Sequence, residues 1–260
     1  MGRVCCLFRC GDGNKMKTIR ILVEGTRDVA LLASVFKVCG LNLSDVRALT
    51  KDKESTKQRP WYEYEFKLNG LVGEYEGEKE GVRYRLEVYI TGGYSKFNDL
   101  LSLYEDKDSN GVIPAVVYDA DRSADDENHG GNTARRTLLQ KQYDGYSFLR
   151  KPSEELSIFL FPNNRDDGTV ETLLEMITAK GSRKAMTVCW RIYEWLLSAF
   201  HYFKPTAKSK INEYTSATIG PEVWEYQGQN KALFSHEIWD WGSQEILPLC
   251  EFIKGLVKKV

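Results

Sequence analysis

The sequence predicts an α/β protein, a mostly parallel sheet flanked by helices, and three observations carry that prediction. Apolar runs of strand length recur along the 260 residues. Several of these runs are followed by a glycine-containing turn and then by apolar residues at helical spacing. One of them, Val112–Tyr118, is apolar almost without interruption, as expected of a central parallel strand buried on both faces.

Taken in order, Lys17–Val23 alternates Ile19, Ile21 and Val23 as a strand does, and Asp28–Cys39 after the Gly25 turn has helical spacing. Trp61–Leu68 alternates Tyr62, Tyr64 and Phe66, and Arg83–Ile90 is again strand-like, so the two predict an antiparallel pair joined by a charged, glycine-containing connection. Thr91-Gly92-Gly93 closes that second strand as a structural turn, since no P-loop Lys-Ser/Thr follows it. Phe97, Leu100, Leu101 and Tyr104 predict a helix over Lys96–Tyr104. A polar loop over Arg122–Asn132 and a helix near Thr133–Gln142 follow the central strand. Ser157–Phe161 reads as a short strand, Pro162–Gly168 as a loop, and Thr169 as the start of another helix.

From Arg183 onward the spacing is helical, which predicts an α-helical C-terminal subdomain over residues 183–260 packed on an α/β domain over 16–182. The aromatic set Trp190, Tyr193, Trp195, Phe200, Tyr202 and Phe203 fits core better than a base-stacking surface. Met1–Lys15 joins no periodic element and is expected to be a disordered extension, with Met16 as an alternative start.

Composition narrows the function classes. Charged residues make up 28% of the chain and sum to −1, so no global basic field advertises nucleic acid or an anionic membrane, and any polyanion must be held locally. Six cysteines are scattered without zinc-site spacing, a pattern suited to reduced thiols in a cytoplasm. His129, His201 and His236 are isolated from one another. No stretch reaches the roughly 20 apolar residues of a membrane span, so no membrane association is expected.

The chemistry-bearing residues are carboxylates at the ends of apolar runs: Glu24 with Asp28 after the first, Asp119 with Asp121 after the central one, and Glu171 after the Pro162–Gly168 loop. Acidic groups that emerge where parallel strands end converge on one sheet edge and repel one another unless a cation neutralises them. Hard oxygen donors suit Mg²⁺ or Mn²⁺. Arg27, Arg122 and Arg165 adjoin these loops and are candidate phosphate contacts, because guanidinium grips phosphate bidentately. The bland readings are that Asp28 and Glu171 merely favour the starts of helices and that the arginines are ordinary surface residues.

The segments Ile21-Leu22-Val23-Glu24-Gly25-Thr26-Arg27-Asp28 and Val116-Val117-Tyr118-Asp119-Ala120-Asp121, with Leu86–Thr91 and Gly92-Gly93 between them, resemble the Toprim domain over about residues 17–180. Phe159-Leu160-Phe161-Pro162-Asn163-Asn164, Gly168-Thr169-Val170-Glu171 and the tail stretches Ile238-Trp239-Asp240-Trp241 and Pro248-Leu249-Cys250-Glu251-Phe252-Ile253 narrow the resemblance to a Toprim-related family of uncharacterised prokaryotic proteins. Within the wider group, the overcoming-lysogenisation-defect nucleases are the closer analogue, with a Glu-x-x-x-Asp start and a later acidic residue that Asp28 and Glu171 resemble.

That resemblance implies a Mg²⁺- or Mn²⁺-dependent nuclease or phosphotransfer enzyme acting on DNA or RNA. It implies Asp119 and Asp121 as ligands of one ion, Asp28 and Glu171 as helpers at a second, and Glu24 as a ligand or general base. The alternative is a non-catalytic module that recognises nucleic acid or nucleotide, in a defence complex with a partner ATPase. A primase-like nucleotidyltransferase lacks identifiable nucleotide and template sites, and a topoisomerase lacks an assignable nucleophilic tyrosine. The oligomeric state is left open.

Overall fold

The computed structural model describes residues 16–47, 71–105, 111–123, 129–150, 154–200, 211, 214–215 and 237–260. Six strands form one sheet: β1 (Lys17–Val23), β2 (Leu43–Arg47), β3 (Leu71–Lys79), β4 (Val82–Ile90), β5 (Val112–Asp119) and β6 (Ser157–Phe161). Its order is β2-β3-β4-β1-β5-β6, with β4, β1, β5 and β6 parallel and β3 antiparallel to both its neighbours. The helices are α1 (Thr26–Val38), α2 (Asn132–Arg150), α3 (Val170–Met176), α4 (Lys180–Phe200) and α5 (Leu247–Lys258), with 3-10 segments over Tyr94–Tyr104 and Gln244–Ile246.

Alternation along the central strands produces two apolar faces. Ile19, Ile21 and Val23 of β1 and Ile113, Ala115 and Val117 of β5 meet α1, α3 and α5 on one side. Leu22, Val116 and Tyr118 meet the Tyr94–Tyr104 segment and Leu139 and Tyr143 of α2 on the other. The sheet is thus a middle layer covered on both faces, which is why β5 needs no polar alternation and is buried up to Tyr118. Met186 of α4, Trp239 and the buried stripe Leu249, Ile253, Leu256 and Val257 of α5 join the same core as α1.

Three elements differ from the sequence reading. The charged stretch expected to connect two strands is itself strand β3, whose Glu74 and Glu76 pair with Arg85 and Arg83 of β4 across the ladder. These cross-strand ion pairs let a polar segment serve as a strand near the sheet edge. The Lys96–Tyr104 helix is 3-10 and begins at Tyr94, and α2 runs on to Arg150. The expected strand Trp61–Leu68 and the extension Met1–Lys15 lie outside the described residues. Among the described residues, no helix is long and apolar enough to cross a membrane.

The topology also locates a crevice. From β1 the chain passes through α1 on one face of the sheet, whereas from β5 it passes through α2 on the other. Neighbouring parallel strands whose connections depart to opposite faces leave a gap beyond their carboxyl ends, the usual ligand position in open α/β sheets. Glu24 and Asp119 stand at that gap.

Candidate functional site

Glu24 directly follows β1, and its Oε1 accepts a hydrogen bond from the backbone N–H of Asp119 at 3.1 Å. The backbone around Glu24 is held by the next turn, since Gly92 N–H donates to the Glu24 carbonyl at 3.0 Å. Asp119 ends β5, and its Oδ1 accepts from the N–H of Val170 at 2.7 Å, the first residue of α3. A helix start offers unpaired N–H groups and positive potential, so it suits this carboxylate.

Asp28 lies at the third position of α1, where its Oδ2 accepts from Gly25 N–H at 2.9 Å. Glu171, in the first turn of α3, is bound by Arg27 at 2.5 Å, and both side chains are largely buried. Asp121 adopts a left-handed backbone conformation, φ 58°, and bridges to Gly168 through both of its backbone groups. Asp is one of the few residues that tolerates this region, which explains its place at a sharp exit from β5. The Asp121 carboxylate is bound by Arg135 Nη2 at 2.5 Å.

The five carboxylates form one electrostatic cluster. Burial, then the charge of Asp28, pushes the Glu24 carboxyl up to about 8, with Asp121 adding to the rise. Burial raises Asp28 to about 7, with Glu171 contributing. Asp119 lies well above the usual carboxylate range because of burial and the charges of Asp28, Glu24 and Glu171. Asp28 is buried and interacts with Glu24, Asp119 and Glu171 alike.

The arginines divide. Arg27 belongs to the cluster through Glu171. Arg122 is exposed immediately after Asp121. Arg165 is 82% exposed at its side chain and pairs with its neighbour Asp166, and it also feels Glu245 beside α5. Two contributors are not apparent from the motifs. Arg135 is fully buried despite its charge, and Asp167 anchors the start of α2 by accepting from Asn132 N–H at 2.7 Å. The signal for Arg135 is its position in the buried stripe Asn132, Arg135, Leu139 and Tyr143, where helical spacing calls for an apolar residue.

The donor set fits a hard cation in kind. All five side chains offer carboxylate oxygens, and three of them carry a raised proton affinity that a nearby cation would relieve. Among the described residues, no group of three or more His, Cys, Asp or Glu side chains stands ready to hold a metal ion. Each carboxylate is instead turned toward its own N–H or guanidinium. Mg²⁺ keeps much of its hydration shell and is commonly held by one or two carboxylates.

Fold and cluster together define an α/β protein with a cluster of carboxylates at the carboxyl edge of a mostly parallel sheet. The chain belongs to the family described as protein of unknown function DUF3226, whose model matches residues 18–258. Comparison with curated proteins gives no match. Among solved structures it is similar to hypothetical protein PH0156 from Pyrococcus horikoshii OT3, at 14% identity and a TM-score of 0.38 over 93% of this chain and 100% of that one. A 5'-methylthioadenosine/S-adenosyl homocysteine nucleosidase of Helicobacter pylori gives 12% identity and a TM-score of 0.26 over 94% and 99% of the two chains. Futalosine hydrolase of Helicobacter pylori strain 26695 gives 9% and 0.26 over the same shares. At these TM-scores the likenesses carry no argument.

Proposed function

We propose that this protein is a Toprim-like, Mg²⁺- or Mn²⁺-dependent nuclease or related phosphotransfer enzyme acting on nucleic acid. The observation that carries the reading is the contact of Glu24 with the Asp119 backbone at the carboxyl ends of adjacent parallel strands, with Asp28, Asp121 and Glu171 in the same electrostatic cluster. Phosphodiester cleavage requires charge on the phosphate to be offset, a water to be deprotonated and the leaving oxygen to be stabilised. A divalent ion held here supplies Lewis acidity toward the phosphate.

Glu24, Asp119 and Asp121 are the residues that would hold it. Glu24 serves as an ion ligand or as the general base, and its raised proton affinity belongs to the metal-free site. Asp28 and Glu171 set the charge of the crevice, and Arg27 offsets part of it through Glu171. Arg122, exposed beside Asp121, is the phosphate contact that the geometry favours. The enzyme would work in the cytoplasm.

A second reading is a non-catalytic module that recognises nucleic acid or nucleotide beside a partner ATPase. It is favoured by the near-zero net charge and by the arginines that already neutralise Asp121 and Glu171. Incubating the purified protein with single- and double-stranded DNA and RNA, in Mg²⁺, Mn²⁺ or chelator, separates the two. Metal-dependent cleavage supports the enzyme, and binding without turnover supports the module.

A further inference from the structure

Arg135 is a costly residue for the protein to keep where it is. A guanidinium removed from water loses several kcal/mol of hydration, which only well-made contacts return. Its side chain is completely buried. It is fixed on three sides: Nη2 donates to Asp121 Oδ2 at 2.5 Å, Nε donates to the His129 carbonyl at 3.2 Å, and Cζ lies 3.4 Å from the centre of the Tyr94 ring. These partners come from the end of β5, the loop before α2 and the segment after β4, so the guanidinium ties together three walls of the crevice.

The backbone repeats the same anchoring. Arg135 N–H donates to the Gly131 carbonyl, and Gly131 N–H donates to the Ala120 carbonyl, each at 2.9 Å. Gly131 has φ +91°, a conformation that favours glycine, and a Cβ there would stand 2.6 Å from Ser123 Oγ. Asp121 is therefore fixed by its backbone bridge to Gly168 and by its carboxylate on Arg135. The Asp121 side chain keeps 35% exposure while Arg135 has none, so the guanidinium stands behind the carboxylate as seen from solvent. It also lies near enough to Glu24 to lower the proton affinity of that carboxyl.

We propose that Arg135 is a positioning residue for the reaction assigned above, holding the Asp121 carboxylate within the field of Glu24 without touching the phosphate. The proposal rests on that assignment. It distinguishes Arg135 from Arg122, which follows Asp121 in the chain and is exposed. Groups that orient a metal-binding carboxylate typically contribute 10–100-fold in ion affinity.

The test is Mn²⁺ affinity by electron paramagnetic resonance for wild type, Arg135→Lys, Arg135→Gln, Asp121→Asn and the Arg135→Gln/Asp121→Asn double variant, with thermal melts run in parallel. The expected result is a roughly tenfold or greater loss of Mn²⁺ affinity in Arg135→Gln. Partial recovery is expected in Arg135→Lys, and the double variant should be no weaker than Asp121→Asn alone. Under turnover, kcat should fall while KM for nucleic acid stays unchanged. Wild-type Mn²⁺ affinity in a folded Arg135→Gln protein overturns the proposal, as does a raised KM with unchanged ion binding or an additive double variant. Should Arg135→Gln not fold, Arg135→Lys and Asp121→Asn carry the comparison, and equal Mn²⁺ affinity in Arg135→Lys and wild type, with Asp121→Asn unaffected, overturns it. Absence of Mn²⁺ binding by the wild type defeats the assigned function itself, a result distinct from unchanged binding in the variants.

Discussion

Glu24 Oε1 accepts a hydrogen bond from the Asp119 backbone N–H at 3.1 Å, so the side chain that ends β1 is registered on the main chain that ends β5. The two strands are paired in parallel from Thr18 with Val112 to Val23 with Val117, which leaves Glu24 one residue and Asp119 two residues beyond the last pair. Asp119 in turn accepts from the start of α3, and the helix that follows carries Glu171. Parallel register, and not sequence proximity, assembles the crevice.

Glu24→Gln separates two roles for the residue at its centre. The substitution keeps volume and hydrogen-bonding capacity while removing the charge needed for ion ligation or proton transfer. Cleavage is expected to fall by roughly 10²–10⁴-fold, the range for losing a general base. Calorimetric titration with Mg²⁺ then assigns the role: retained ion binding marks a base, and joint loss marks a ligand. Cleavage at the wild-type rate contradicts both roles.

The raised carboxyls predict an unusual pH dependence of stability without metal. Glu24 rises from 4.5 to about 8 and Asp28 from 3.8 to about 7 on folding, so between those limits the folded state holds protons that the unfolded state has released. Their contribution to stability is present below about pH 4 and is lost as pH rises through about 7 to 8. In chelator, the gain in melting temperature of Glu24→Gln over wild type should therefore grow from pH 4 to pH 8, and Mg²⁺ should shrink it. A constant difference across that range refutes the coupling.

Breaking the ion pair behind Glu171 should be costly. Arg27→Gln leaves a largely buried carboxylate beside Asp28 and Asp119, and loss of one member of a buried pair costs about 3 kcal/mol. The double variant Arg27→Gln/Glu171→Gln should recover most of that loss, because no unpaired charge remains. Urea denaturation of the four proteins reads the cycle, and additive losses contradict the pairing.

Much of this arrangement is legible in the chain. The unbroken apolar run Val112–Tyr118 announces a strand covered on both faces, and the acidic residues that follow such runs announce the crevice. Strand β3 is not legible, because its alternation lacks an apolar face and the β4 arginines that offset its glutamates oppose them only once the two strands are paired. The burial of Asp28 and the pairing of Arg27 with Glu171 are equally hidden, since they depend on how the first turns of α1 and α3 approach each other. Arg135 was within reach: a lone arginine in a stripe with Leu139 and Tyr143 is a buried cation in search of an anion.

The most direct test of the central claim compares wild type with the Asp119→Ala/Asp121→Ala double variant on single-stranded DNA, double-stranded DNA and RNA, each with Mg²⁺, Mn²⁺ or chelator. Asp121→Ala leaves the buried Arg135 without its carboxylate, so the double variant should melt below wild type, and the comparison is read at a temperature where its circular dichroism spectrum matches that of wild type. The account predicts cleavage of at least one substrate by the wild type with Mg²⁺ or Mn²⁺, none in chelator, and none by the double variant under any condition. Cleavage that persists in the double variant, or a folded wild type that cleaves nothing in either metal, contradicts it.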